Sequence, residues 1–231
     1  MLEQAAGAAV TVAHACAAVV AVTGVDGVTA ALTTSAILRE TVYAGDEAAA
    51  QVEELTLTLG EGPGVDAWTS GQPVLSVDMA GPDALSRWPV FAPAATAAGA
   101  QALFALPLRV GAIRLGVLTL YLRRPGGLTT AQLADGLALA DVVCLLLLDR
   151  AGQTGDAPLG WTGQDGLRYP EVHQATGMII VQLGVTAEIA FARLRAYAFV
   201  HERRLRDVAR DVVARRLRFR SDLEGDYADG R

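Results

Sequence analysis

Arginine supplies most of the chemistry available to the last quarter of this chain. Between Arg168 and Arg220 stand eleven arginines against five acids (Glu171, Glu188, Glu202, Asp207 and Asp211), a surplus of six positive charges. From Met1 to Arg150 the balance reverses, with seven arginines against fourteen acids. The net charge of −6 over 231 residues therefore conceals a basic C-terminal segment joined to an acidic body. Guanidinium groups are planar, permanently charged and fork-shaped, which suits them to phosphates and to the faces of bases. A charge split of this kind fits a polyanion-binding unit attached to a part with another task. It fits a solvated helical face equally well, so charge alone leaves both readings standing. Choosing arginine over lysine adds little, because the chain has no lysine and no asparagine at all, a bias expected of a GC-rich genome.

Other chemistries find less support. His14, His173 and His201 lie far apart, and no serine or cysteine stands in a recognisable nucleophile setting. Gly60-Glu61-Gly62-Pro63-Gly64 lacks the Lys-Ser/Thr of a phosphate loop. Cys16 and Cys144 sit in apolar helical contexts and read as small buried hydrophobes, with no spacing that suggests a metal. The expectation is a non-enzymatic protein without cofactor or metal. Ala5–Val25 carries almost no charge, but it follows Glu3 rather than a basic start and is built of Ala and Val. It reads as a buried helix rather than an export signal. Leu133–Leu148 is as apolar, but Asp135 and Asp141 interrupt it, so a cytoplasmic protein without a membrane span is expected.

The elements that must position these residues fall into two bodies. Over residues 1–150, helical patterning covers Leu2–Val20 and short strands cover Val28–Leu32 and Ala36–Tyr43. Asp46 caps a helix over Glu47–Leu59, and Gly60–Gly64 ends it in an irregular turn. A strand over Pro73–Val77 and a helix over Arg87–Gly99 follow. Strands Ala102–Val110 and Arg114–Tyr121 come next, separated by a turn at Gly111-Ala112. The capping box Thr129-Thr130-Ala131-Gln132 opens a long helix to Leu148. This order predicts an α+β fold, an antiparallel sheet flanked by helices. Residues 151–167, with five glycines and a proline, read as a linker. The second body, 168–220, reads as three helices. The first runs from Pro170 to Leu183 with Gly184 as its stop. The second starts after the N-cap Thr186. In the third, the apolar positions Leu205, Val208, Ala209, Val212, Val213 and Leu217 keep helical spacing. An acidic tail, 221–231, closes the chain.

Particular residues of this second body resemble a known family. Gln174-Ala175-Thr176-Gly177-Met178-Ile179, then Gly184, then Ala190–Ala198 and Leu205-Arg206-Asp207-Val208-Ala209, are similar to the ANTAR domain of transcription antitermination regulators. The first body resembles a GAF sensor domain. Its local marker is the loop Leu59–Ala67, which recurs in actinobacterial proteins pairing GAF with ANTAR. The resemblance implies a GAF-like sheet domain followed by a small three-helix ANTAR bundle. It also implies binding to hairpin loops of nascent RNA, where unstacked bases are open to recognition, a homodimer, and an unidentified small-molecule ligand of the GAF part. Two positions depart from the families. Thr176 stands where ANTAR domains usually carry lysine, and Gly64 where many GAF relatives have cysteine. Arg193 and Arg195 on the second helix, and Arg203 and Arg204 in the turn after it, are the first candidates for RNA contact. His173, Gln174 and Thr176 are the polar candidates on the first helix. Two alternatives remain: a helix-turn-helix DNA binder using the basic third helix, and a ligand-binding or dimerising GAF protein whose ANTAR part is degenerate.

Overall fold

The computed structural model describes residues 10–33, 39–153 and 170–220. The chain divides into two compact units, Met1–Arg168 and Tyr169–Arg231. Parts of three expectations lie outside the described residues: the start of the first helix, the first residues of the second strand, and most of the linker. The acidic tail lies outside them entirely.

In the first unit, α1 (Val12–Thr23) opens on Thr11, whose hydroxyl accepts the His14 N–H while the His14 ring accepts the Thr11 N–H. Strands β1 (Gly27–Thr33) and β2 (Arg39–Ala44) follow. Asp46 accepts the Ala49 N–H at 2.7 Å and starts α2 (Glu47–Leu59), which spans the expected residues. The turn after Gly60 is shorter than expected, because Pro63 takes the first position of a new helix, α3 (Pro63–Ser70). Proline there gives up only an N–H that would have no helical partner. Next come β3 (Val74–Ser76) and α4 (Pro82–Arg87), the latter another proline-initiated helix that periodicity did not reveal. The helix expected over Arg87–Gly99 contracts to α5 (Phe91–Ala97). Glu61 caps it by accepting the N–H groups of Val90 and Phe91 at 2.8 and 2.6 Å. Strand β4 (Ala102–Val110) has the expected bounds and β5 (Ile113–Leu122) nearly so. The capping box holds: Thr129 and Gln132 bond reciprocally at the start of α6 (Thr130–Gln153). That helix runs past Leu148 and takes up the first three residues assigned to the linker.

The five strands form one antiparallel sheet in the order β2-β1-β5-β4-β3. Helices cover both faces, so β1 and β4 are buried almost without alternation. On one face Ala30, Phe104, Leu106, Leu118 and Leu120 pack against α1 and α6. Among the described residues, α6 alone is long and apolar enough to cross a membrane. Its stripe Ala140, Val143, Cys144 and Leu147 is buried in this core, and the opposite face, Leu145 included, is exposed. Both cysteines are free thiols here, and burial pushes the Cys16 thiol up to about 12. The other face carries Leu103, Ala105, Val117 and Tyr121 against Val52, Met79, Trp88 and Phe91.

Toward β2 this second core turns polar. Arg39 and Glu53, 8% and 2% exposed, form a buried ion pair, and the Thr29 hydroxyl donates to Glu53 at 3.1 Å. The Gly60–Gly64 loop closes over this region. Gly62 has φ 118 and lies where a Cβ would meet the Phe91 ring at 3.0 Å, so the position requires glycine.

The second unit is a three-helix bundle of α7 (Pro170–Leu183), α8 (Ala187–Val200) and α9 (Leu205–Val213). Its core is Val172, Ala175 and Ile179 from α7, Ala190, Phe191, Leu194 and Ala198 from α8, and Leu205, Val208, Ala209 and Val212 from α9. The third helix is shorter than its apolar spacing implies: it ends at Val213, and Leu217 lies beyond it.

Candidate nucleic-acid interface

The turns of the C-terminal unit decide where its arginines stand. Gly184, with φ 63, stops α7, and its N–H returns to the Ile180 carbonyl at 2.8 Å. Thr186 then caps α8 by accepting the Ile189 N–H. After α8 the chain reverses at Glu202, φ 50, and Arg204 occupies the N-cap of α9. A second reversal follows α9 at Arg215, φ 59. There the N–H groups of Arg216 and Leu217 both return to the Asp211 carbonyl, at 2.8 and 3.1 Å. The tail this creates is tied to α7 and α8. The Phe219 N–H donates to the Gln182 side-chain Oε1 at 2.9 Å, and the Phe219 ring meets Tyr197 edge-on at 5.6 Å.

Several arginines are committed to ion pairs. Asp211 accepts from Arg203 and from Arg216, each at 2.7 Å, and these two guanidiniums, Arg203 foremost, hold its carboxyl below the usual carboxylate range. Glu171 at the start of α7 faces Arg206 at 3.8 Å and Arg210 at 3.2 Å, and Arg210 also reaches Asp207 at 3.6 Å. Arg195 is half-buried, its guanidinium 5.8 Å from the centre of the Phe191 ring, and burial pulls its pKa below the ordinary arginine value. Arg193, two residues earlier, is exposed. Arg204, Arg215, Arg218 and Arg220 are exposed and make no ion pair among the described residues.

The polar candidates of α7 separate in the structure. Gln174 is exposed. His173 is half-buried, and desolvation lowers its pKa. Thr176 is 7% exposed, and its hydroxyl donates back to the Val172 carbonyl at 2.8 Å, so it presents no hydroxyl at the surface. The helical spacing of Gln174, Gly177, Met178 and Val181 instead lays one stripe along the outside of α7. This stripe and Gln182 line a groove of about 670 Å³ whose remaining walls are Arg215 and Arg218. Apolar spacing continued to Leu217 would instead put Arg215 and its neighbours on a longer third helix. Arg215 and Arg218 reach the groove only because the chain reverses at Arg215, and no local pattern announced that reversal. Among the described residues no three His, Cys, Asp or Glu side chains are arranged to hold a metal.

Comparison with known proteins bears directly on this unit. Residues 170–213 match the family model of the ANTAR domain. The C-terminal unit carries an ANTAR domain. Its three helices are α7, α8 and α9, and the groove is built on the first ANTAR helix and closed by the tail that follows the matched segment. The N-terminal part is similar to solved domains at low identity. A domain of a two-component sensor histidine kinase protein from Sinorhizobium meliloti 1021 aligns at 16% identity, covering 67% of this chain and 96% of that one, with a TM-score of 0.49. The GAF domain of a phosphoenolpyruvate-protein phosphotransferase from Acinetobacter aligns at 12% identity over 68% and 93%, with a TM-score of 0.49. The GAF-B domain of DevS from Mycobacterium smegmatis aligns at 19% identity over 61% and 93%, with a TM-score of 0.43. No curated protein matches the chain at a significant level.

Proposed function

We propose that this protein is a transcription antitermination regulator that binds hairpin RNA through its ANTAR domain and senses a signal through its N-terminal unit. The observation that carries the proposal is the ANTAR match over residues 170–213, which lies within the Arg168–Arg220 segment that holds eleven of the chain's nineteen arginines. Phosphate attraction supplies affinity, and contacts to unstacked loop bases supply selectivity. Holding a hairpin that excludes a terminator lets polymerase read through. Arg204, on the reversal between α8 and α9, is the candidate best placed for phosphate, being exposed and outside any ion pair among the described residues. Arg193 and Arg195 flank the buried Leu194 on α8 and serve as further contacts. Arg203, tied to Asp211, braces the turn that presents Arg204 rather than meeting phosphate itself. Gln174 and His173 supply polar contacts from α7, and Thr176 acts from within the bundle by fixing α7.

The N-terminal unit is a sensor without catalytic activity that takes a small-molecule ligand and dimerises, and the whole protein acts in the cytoplasm. Transcription in vitro on a template with a hairpin-preceded terminator tests the proposal. Full-length protein is expected to raise read-through, and an Arg193→Ala/Arg204→Ala variant to lose most of that effect. Gel shifts in which duplex DNA outcompetes hairpin RNA would reassign the protein to DNA.

A further inference from the structure

We infer that the groove across α7 is the subsite that receives an unstacked base of the RNA loop, with Arg215 and Arg218 holding the adjoining phosphates. The inference rests on the RNA-binding proposal and assigns it a place. Its volume, about 670 Å³, lies within the roughly 300–1,000 Å³ usual for small-ligand sites. Gly177 makes the room: a Cβ built there meets nothing within 4 Å, so the glycine satisfies no packing need of the bundle. Interior glycines weaken helices, and one held in mid-helix by no neighbour calls for another use. Met178 and Val181, the latter 85% exposed, give the groove an apolar, adaptable surface for a base plane.

Polar groups sit at the edges. Gln174 is exposed on the groove, and its amide can both donate to and accept from a base edge. Gln182 accepts the Phe219 N–H with its side-chain Oε1, which leaves its amide hydrogens to donate. The arginines are placed by the fold. Arg216 is tied to Asp211, and Phe219 is tied to Gln182 and Tyr197, so Arg215 and Arg218 are carried over α7 by a tail anchored on both sides. An apolar strip, amides at its edge and two cations beside it match the parts of a single nucleotide in a loop.

The test uses full-length protein and a pool of hairpin RNAs with one fixed stem and randomised loops, read by filter binding and by sequencing the retained RNA. Wild type is expected to retain RNA and enrich particular loops. Gly177→Leu fills the groove without touching the core. It is expected to melt no lower than wild type, yet to bind the enriched loops about 5- to 150-fold more weakly, the range commanded by loss of a stacked base. Arg215→Gln/Arg218→Gln is the second variant, and it reports whether or not the first one folds. It is expected to weaken all loops alike and to flatten the dependence of log K on log salt by about 1.4, for two phosphates at about 0.7 each. RNA binding and loop preference within twofold of wild type in both variants would overturn the groove assignment and leave the RNA function intact. Failure of wild type to retain any hairpin would overturn both.

Discussion

Salt dependence offers a quantitative test of which arginines meet RNA. Arg204, Arg215, Arg218 and Arg220 are exposed and outside ion pairs among the described residues, whereas Arg203, Arg206, Arg210 and Arg216 are held by Asp211, Glu171 or Asp207. Each phosphate neutralised on flexible RNA contributes about −0.7 to the slope of log K against log salt, so four contacts give a slope of about −2.8. Between 50 and 200 mM salt this is a loss of about 50-fold in affinity. If Arg193 and Arg195 join, the slope steepens to about −4.2 and the loss to about 300-fold. Recruiting the four ion-paired arginines to the first set instead would demand about −5.6 and about 2,000-fold. Fluorescence anisotropy of a labelled hairpin titrated with the full chain at five salt concentrations separates these cases. A slope between about −2.8 and −4.2 is expected. One at −5.6 or steeper would show that the ion pairs open on binding and that the division into committed and open arginines fails. A slope shallower than about −1 would refute phosphate contact as the source of affinity.

Four further outcomes follow. Asp211→Ala releases Arg203 and Arg216 together, and anisotropy should show tighter RNA binding with a slope steeper by up to about 1.4. Glu53→Ala strands the buried Arg39 guanidinium and should cost the N-terminal unit about 3–5 kcal/mol in a denaturant melt, whereas Arg39→Met/Glu53→Met should recover most of it. Cys16 and Cys144, 0% and 1% exposed, should resist a thiol reagent at pH 8 in the native protein and react only at the rate of unfolding. Burial lowers the His173 pKa in the folded state, so the stability tied to its neutral ring is complete above the unfolded value of about 6.5. It drains away as pH falls below that toward the folded value. The melting transition of the C-terminal unit should therefore weaken on acidification below about pH 6.5, and His173→Gln should flatten the trend.

Sequence reasoning located the N-terminal elements best where one local signal had one meaning. Asp46 could only cap, and Gly60 only stop, so α2 has the expected bounds. The Gly-rich run after it carried two meanings: Pro63 read as the middle of a turn but serves as the first residue of α3. Pro82 likewise takes the first position of α4. The break between α4 and α5 depends on contacts distant in sequence. Asp66, on α3, accepts from both Arg87 and the Trp88 indole, and Glu61 caps α5 from 29 residues upstream. The buried Arg39–Glu53 pair was equally illegible, since nothing local told two charged residues on separate elements that they would be enclosed together.

The C-terminal unit shows why a count of charges cannot stand for a surface. Apolar spacing placed all three helices, but it also ran the third to Leu217, because a residue four positions past Val213 keeps the same phase whether or not the helix continues. The reversal at Arg215 is closed on residue 211, whose backbone carbonyl accepts two N–H groups while the Asp211 carboxylate draws two guanidiniums. It subtracts Arg203 and Arg216 from the open charge while delivering Arg215 and Arg218 to α7. Thr176 belongs to the same argument. A residue 7% exposed and bonded to its own helix lies beneath the surface stripe, so a lysine there would have to lead its charge outward past its neighbours. With threonine in that place, the positive charge lining the groove on the first ANTAR helix comes from Arg215 and Arg218. Thr176→Lys should therefore add a cation to a surface that already has two, strengthening RNA binding in wild type less than in Arg215→Gln/Arg218→Gln. An equal gain in both backgrounds would show that the tail arginines and position 176 serve separate sites.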